Sequence, residues 1–285
     1  MTRAVFGLRV VVTAVWPRVS RPASVAASVA ASVVTSVVTS VVTLCAVAIL
    51  TQELDAQRGG TGRGGPPPTP RAAAAIDLSG YWVSVITEDW KLRMVTPKKG
   101  VYDTLTLNAE GRRVGDTWDP ARDEATGEQC RAYGAANIMR LPGRLRISWV
   151  DDTTLRIETD AGSQTRTLRF GGSATTPAEP TWQGVSAAEW MYAGGRRGDA
   201  RAGSLKVITT NLRPGYIRKN GAPYSDKARM TEYFDMNTAP NGDRWLTVTT
   251  KVEDPMYFTR AYLTSSDFKG LPNGDGWAPT PCSAR

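Results

Sequence analysis

The chain contains no histidine, and this absence limits the chemistry that its other residues could perform. Without an imidazole, Ser-His-Asp and Cys-His catalysis, histidine general-base chemistry and the usual zinc sites are excluded. Carboxylates remain candidates for acid–base work. Glu232 and Asp235 are three residues apart, so in a strand they face opposite sides and do not share a pocket. Glu232 shares its face with Met230 and Phe234, which predicts either an arginine partner or a functional carboxylate.

A turn-rich segment, Arg213 to Tyr224, carries the clearest binding pattern. Its arginine, lysine and tyrosine residues are spaced by Pro-Gly and Gly-Ala-Pro turns. Loops on a rigid β scaffold are where binding residues concentrate, and guanidinium and phenol groups suit an anionic or hydroxylated small molecule. The candidate ligand-binding residues here are Arg213, Tyr216, Arg218 and Tyr224. The alternative is that these side chains only cover the edge of the fold.

A second mixed cluster follows the first predicted strand, between Thr87 and Met94. Trp90 and Arg93 could line the open end of a barrel, where ligands usually enter. An exposed tryptophan stacked on an arginine stem is the alternative explanation. Trp90, Arg93 and Glu232 complete the predicted ligand-binding set.

No metal or cofactor site is predicted. The segments Asp235-Met236-Asn237 and Asn241-Gly242-Asp243 have a faint calcium-loop pattern, but the following bidentate glutamate is missing. The turn chemistry of Asn-Gly favours a hairpin at this point instead.

Two cysteines lie in the C-terminal three quarters of the chain, Cys130 and Cys282. In an oxidising compartment an even pair favours a disulfide, which would tie the C-terminal tail to the middle of the domain. Closing so long a loop stabilises by about 4 kcal/mol in the chain-entropy model. Two free thiols are the alternative.

Residues 1–56 have the composition of an export segment. Arg3, Arg9, Arg18 and Arg21 precede an uncharged run from Pro22 to Gln52. A basic start followed by an apolar run indicates a signal peptide, cleaved near Ala56, or else an uncleaved N-terminal membrane anchor. The folded part is therefore expected to be periplasmic or secreted, and to contact a membrane only through this segment.

Residues 57–75 are rich in glycine, proline and alanine, which predicts a disordered linker. Residues 76–285 then form one domain. Without the first 75 residues, 28 basic and 25 acidic residues remain, so the formal charge of +8 falls to +3. No basic block or basic helix is present, and nucleic-acid binding is not predicted.

Apolar residues alternate with polar ones along much of this domain, as in Leu145-Arg146-Ile147 and Leu155-Arg156-Ile157. The pattern predicts a first strand at Tyr81–Thr87 and about four strands between Asn137 and Phe170. Four further strands are predicted at Ser204–Asn211, Ala228–Asp235, Arg244–Val252 and Tyr257–Ser265. A single helix is predicted at Ala121–Tyr133, begun by Asp119-Pro120.

Gly80-Tyr81-Trp82 resembles the G-x-W motif that opens the first strand of lipocalins. The resemblance implies an eight-stranded barrel whose tryptophan packs against an arginine of the last strand, for which Arg260 is the candidate. Thr231-Glu232-Tyr233 is similar to the T-D-Y turn motif of that family, although it falls inside a predicted strand.

A closer resemblance covers nearly the whole domain. Trp182, Gly184, Ser186 and Trp190 match a W-x-G-x-S-x-x-x-W pattern of a family of exported bacterial β-rich proteins. Later segments that resemble the same family are a T-E-x-F/Y motif at Thr231-Glu232-Tyr233-Phe234 and a D-P-x-x-Y/F-T motif that begins at Asp254-Pro255. The resemblance implies an exported, β-rich protein and no particular activity.

We therefore predict an exported all-β domain, a lipocalin-like antiparallel β-barrel with one short helical insertion, with a β-sandwich as the alternative. The leading functional hypothesis is non-enzymatic binding of a small, partly apolar ligand. One alternative is a histidine-free hydrolase or isomerase that uses Glu232 or Asp235. Another is a structural or interaction module of the cell envelope.

Overall fold

The computed structural model describes residues 66–171, 179–193 and 203–285. The predicted export segment, residues 1–56, lies outside these ranges, as does the first half of the predicted linker. The described residues belong to one compact unit, Pro66–Arg285. Its first residues contact the barrel: Trp190 donates from Nε1 to the Pro70 carbonyl at 2.8 Å, and the Tyr192 hydroxyl donates to the Ala73 carbonyl at 2.8 Å. The folded part of the chain thus extends several residues before Ile76.

The described residues form eleven strands, nine of which close into a barrel. The strands are β1 (Gly80–Val85), β2 (Arg144–Trp149), β3 (Thr154–Thr159), β4 (Thr165–Phe170), β5 (Val185–Tyr192), β6 (Gly203–Thr210), β7 (Gly215–Arg218), β8 (Ala222–Tyr224), β9 (Arg229–Thr238), β10 (Arg244–Glu253) and β11 (Tyr262–Leu271). The order around the barrel is β1-β11-β10-β9-β6-β5-β4-β3-β2, and β7 and β8 form a separate hairpin. The predicted all-β barrel is confirmed, with one departure, since β4 and β5 pair in parallel.

Alternation along the strands fills the barrel interior with side chains. Ile147 of β2 lies opposite Ile157 of β3, while their neighbours Arg146 and Glu158 pair on the outer face. The inward side chains form one apolar cluster that includes Leu168, Leu205, Val248 and Phe268. Each of these is at most 1% exposed, so they are packed against one another and not against solvent.

The connection between β1 and β2 is larger than the predicted single helix. It contains four short α-helices in its described course: α1 (Trp90–Arg93), α2 (Ala109–Gly115), α3 (Pro120–Ala125) and α4 (Ala135–Ile138), with a 3₁₀ turn at Gln129–Ala132. The predicted start at Asp119-Pro120 is confirmed. The predicted extent to Tyr133 is wrong, because Gly127 adopts a φ of 74° and ends the helical path.

Two of the strand predictions are also wrong in detail. Three strands, not four, lie between Asn137 and Phe170, and Asn137 itself belongs to α4. The last strand begins at Tyr262, five residues after the predicted start at Tyr257.

The β1–β2 connection and the β7–β8 hairpin together cover one end of the barrel. We call them the cap, residues 86–143 and 211–228. Their apolar side chains, such as Leu105 and Ile217, form a second buried cluster with Met230, Val252 and Tyr262 at the ends of the barrel strands. The predicted disulfide is present: Cys130 is bonded to Cys282, with 5.1 Å between their Cα atoms. It fastens the C-terminal segment to the cap. None of the described helices is long and apolar enough to cross a bilayer.

Trp82 closes the opposite end of the barrel. Its Nε1 donates to the Leu78 carbonyl at 3.0 Å, and its ring lies under the Arg244 guanidinium, 4.8 Å from the ring centre to Cζ. The arginine implied by the lipocalin resemblance, Arg260, is instead exposed in the connection before β11. Arg244, the first residue of β10, takes that place.

Candidate ligand-binding cleft

An open cleft of about 460 Å³ lies in the cap, between α3, the 3₁₀ turn and the β7–β8 hairpin. The connection from β10 to β11 contributes Tyr257 to its wall. Three of the seven predicted ligand-binding residues line it, namely Arg213, Tyr216 and Tyr224. The structure thus brings the two ends of the predicted Arg213–Tyr224 segment onto a concave surface.

Helix α3 sets the position of two charged side chains of the cleft. The Asp119 carboxylate accepts from the backbone N–H groups of Ala121 and Arg122 at 3.0 and 3.3 Å. This cap fixes the start of the helix, helped by Pro120 in its first turn. As a result Arg122 is exposed at the cleft and Asp123 is buried beneath it.

Asp123 joins the helix to the hairpin and to the 3₁₀ turn. Its Oδ2 accepts from the Tyr216 hydroxyl at 2.8 Å, and its Oδ1 accepts from Arg131 Nη1 at 3.3 Å. The Arg131 guanidinium also lies over the Tyr216 ring, 4.6 Å from its centre. Burial, with the hydrogen bond to Asp123, raises the pKa of Tyr216 above its usual value. The phenol is therefore neutral and donating at neutral pH.

The rim of the cleft is held by Arg213. It forms an ion pair with Glu128, and its guanidinium lies 4.5 Å from the centre of the Trp182 ring. Trp182 in turn donates from Nε1 to the Pro214 carbonyl at 3.3 Å. These contacts orient a half-exposed cation at the edge of the cleft without burying it.

The back wall of the cleft contains Tyr224, which is 1% exposed. Its hydroxyl has no hydrogen-bond partner within the described ranges, and burial raises its pKa. Gly134 and Gly215 make room for it, because a Cβ at either position would approach the hydroxyl to 2.7 or 2.6 Å. Glycine at these positions thus lets the tyrosine lie directly behind the cleft.

The rest of the cleft surface carries both aromatic and charged side chains. The rings of Trp118 and Tyr257 supply apolar area, and Gly221 lies so close to Trp118 that a Cβ would clash at 2.2 Å. Three arginines and three acids line the cleft, a net charge of zero: Arg122, Arg131, Arg213, Asp119, Asp123 and Glu128. Arg122 makes no ion pair with any residue of the described ranges.

Glu232 lies elsewhere, inside the barrel, and its predicted arginine partner is confirmed. Arg166 of β4 donates to both carboxylate oxygens, at 3.0 and 2.6 Å. The arginine side chain is 1% exposed and that of Glu232 is fully buried. Asp235 lies on the outer face and accepts a hydrogen bond from Ser204, so the two carboxylates face opposite sides, as predicted.

The remaining predicted residues lie on the far side of the cap. Arg93 and Arg218 are buried together beside Arg140. Trp90 is exposed at the start of α1, with the Lys91 ammonium 5.5 Å from its ring centre. The structure therefore divides the predicted set among the cleft, the barrel interior and a second group of cations, and leaves Trp90 on the surface.

Sequence reasoning did not identify Asp123, Arg131, Glu128 or Trp118 as cleft residues. The predicted helix Ala121–Tyr133 contains three of them, Asp123, Glu128 and Arg131, together with Cys130. Nothing in the sequence indicated that this helix would pack against the Arg213–Tyr224 segment, because that contact joins residues about 90 positions apart.

A second open cleft, of about 540 Å³, lies at the Trp82 end between residues 71–79, Trp149 and Met236. Three of its nine lining residues are alanines, and its polar side chains are those of Arg71, Asp77 and Ser79. Within the described ranges, no three of the cysteine, aspartate and glutamate side chains are grouped to hold a metal ion. Comparisons of the chain with models of protein families, with curated proteins and with solved structures find no match.

Proposed function

We propose that the protein is an exported binding protein for a small, partly apolar molecule that carries several hydroxyl groups, and that the cleft of the cap is its site. The observation that carries the proposal is the composition of the cleft. Two aromatic rings, Trp118 and Tyr257, share one concave surface with the paired charges around Asp123. The same surface carries the Arg122 guanidinium, which has no ion-pair partner among the described residues.

The charge balance favours an uncharged ligand with many donors and acceptors. The arginines and acids of the cleft cancel, so no net field selects a charged molecule. Charged groups nevertheless make hydrogen bonds to neutral hydroxyls that are stronger than those between neutral partners. Aromatic rings pack against the apolar face of such a molecule. A sugar linked to an apolar group combines both properties.

The packing of the barrel favours the cleft over the lumen as the site. The inward side chains contact one another, and the polar pair of Arg166 and Glu232 is also buried inside the barrel. A ligand in the lumen would have to displace these groups, whereas the cleft is open before binding. The disulfide between Cys130 and Cys282 supports an oxidising compartment, which agrees with export.

The test uses nitrophenyl glycosides of several neutral hexoses as probes, since each joins hydroxyls to an aromatic group. Binding to the purified full chain is measured by saturation-transfer NMR and calorimetry. Saturable binding is expected for at least one glycoside, and Arg122→Ala should weaken it roughly tenfold or more, because a hydrogen bond from a charged group is lost.

The matched control is Arg169→Ala, which removes an exposed arginine from the outer face of β4, outside the cleft. It should bind as the unmodified chain does. The proposal fails if none of the glycosides binds, or if Arg122→Ala and Arg169→Ala bind equally well.

A further inference from the structure

A second group of cations lies in the cap, around a small, partly open cavity. Arg93, Arg140 and Arg218 are each less than one tenth exposed, and they line a cavity of about 20 Å³ together with Lys219 and Asn137. The other lining groups are a threonine and three apolar side chains, Leu92, Leu141 and Ile217. No carboxylate is among the lining residues of this cavity, all of which are described.

Arg93 has donors that no atom of the described residues accepts. Its Nε donates to the Arg140 carbonyl at 2.8 Å, but neither Nη1 nor Nη2 has an acceptor in the described part of the chain. Burial, followed by the charge of Arg140, lowers the pKa of Arg93 to about 10. The guanidinium therefore remains charged at neutral pH, and leaving two of its buried nitrogens without acceptors is costly.

The two neighbouring arginines, Arg140 and Arg218, donate to acceptors of their own. Arg218 donates to the Asp103 carbonyl and to Thr104 Oγ1, both neutral acceptors, at 3.0 and 2.9 Å. Arg140 forms an ion pair with Asp89, with 2.8 Å between Nη2 and Oδ2.

The acids near Arg93 are Glu88, Asp89 and Asp267. Their charges favour the protonated guanidinium, but none of the three forms an ion pair with it. Glu88 accepts from Ser265, and Asp267 accepts from Thr87 at 2.8 Å. Lys219 donates to the backbone oxygen of Arg285. The charged side chains that line the cavity are therefore all cations.

We propose that Arg93, Arg140 and Arg218 form a binding site for one monatomic anion of the size of chloride. The small volume of the cavity, about 20 Å³, favours an anion of this size. The anion would join α1 to the β7–β8 hairpin, since Arg93 and Arg218 belong to these two elements.

The experiment measures chloride binding to the purified full chain, first freed of halide by dialysis against a gluconate buffer. Chloride NMR signals should broaden on adding protein and sharpen again when bromide competes. At matched ionic strength, the melting temperature should rise by about 3–5 °C for each tenfold increase in chloride above the dissociation constant.

Arg93→Met removes both unpartnered nitrogens and keeps the apolar stem, so it should abolish the broadening and the chloride dependence. Arg169→Met, at an exposed position, should retain both. If Arg93→Met does not fold, the titration of the unmodified chain still decides. Equal melting temperatures in chloride and gluconate, with no broadening, would show that the cavity holds water only and would overturn the proposal.

Discussion

Arg166 and Glu232 form a two-pronged ion pair inside the barrel, with Arg166 Nη1 and Nη2 at 3.0 and 2.6 Å from the two carboxylate oxygens. They come from β4 and β9, which are separated around the barrel by β5 and β6. Thr209 and Ser186 lie on the intervening strands, and their hydroxyls are 2.8 Å apart. Since Glu232 is fully buried and paired, it is placed to hold strands together and has no contact with solvent.

Breaking this ion pair should cost much of the stability of the barrel. Glu232→Gln leaves the Arg166 charge buried without its counter-charge, and we expect a loss of about 3–5 kcal/mol in the free energy of unfolding. Denaturant titration followed by tryptophan fluorescence measures it. The double variant Arg166→Met with Glu232→Leu should recover most of the loss, because neither charge is then buried. A loss below about 1 kcal/mol in Glu232→Gln would contradict the structural role.

The Trp82 end gives a comparison between two arginines. Arg244→Ala removes the cation that covers the Trp82 ring, and with it three hydrogen bonds to the carbonyls of residues 77 and 79. We expect it to lower the free energy of unfolding by about 1–2 kcal/mol. Arg260→Ala, at an exposed position, should change it by less than about 0.5 kcal/mol. Equal losses in the two variants, measured by thermal unfolding, would contradict the pairing of Trp82 with Arg244.

Tyr102 should make the stability of the cap depend on pH in the alkaline range. Burial, with the hydrogen bond to Asp116, raises the pKa of Tyr102 to about 12. The unfolded value is about 10, so the folded state favours the neutral phenol. The contribution of Tyr102 to the free energy of unfolding is fully present below about pH 10 and is lost as the pH rises towards 12.

Tyr102→Phe removes this titration and is the control. The unfolding free energy of the unmodified chain should fall relative to the variant by on the order of 2 kcal/mol between about pH 10 and 12. In an absorbance titration, the unmodified chain should show a tyrosine ionisation near pH 12 that Tyr102→Phe lacks. If the ionisation that the variant lacks lies near pH 10 instead, Tyr102 is not buried in the cap.

The barrel was predictable where strands are half-buried and the sequence alternates. Leu155 and Ile157 face inward and Arg156 faces outward, so the period of two is visible. Strand β5 was not predicted, because its inward residues include Ser186 and Ala188, which give little hydrophobic contrast. The short helices of the cap were missed for a different reason. Helices of four residues, such as α1 and α4, carry too little periodicity to be recognised and depend on tertiary packing.

The candidate site was predictable in its residue types and not in its assembly. The Arg213–Tyr224 segment was recognised from its turns, and Glu232 was expected to find an arginine. The identity of Arg166 as that arginine depends on barrel closure, which brings together residues 66 positions apart. The contact of Tyr216 with Asp123 likewise depends on how the cap folds over the barrel end.

The central claim, that the cleft binds a small hydroxyl-bearing molecule, is tested most directly by a crystal structure of the protein with the tightest-binding nitrophenyl glycoside. The account predicts that the sugar contacts Arg122 and that an apolar face of the glycoside lies against Trp118 or Tyr257. Density for the glycoside inside the barrel, or at the Trp82 end with an empty cleft, would contradict it.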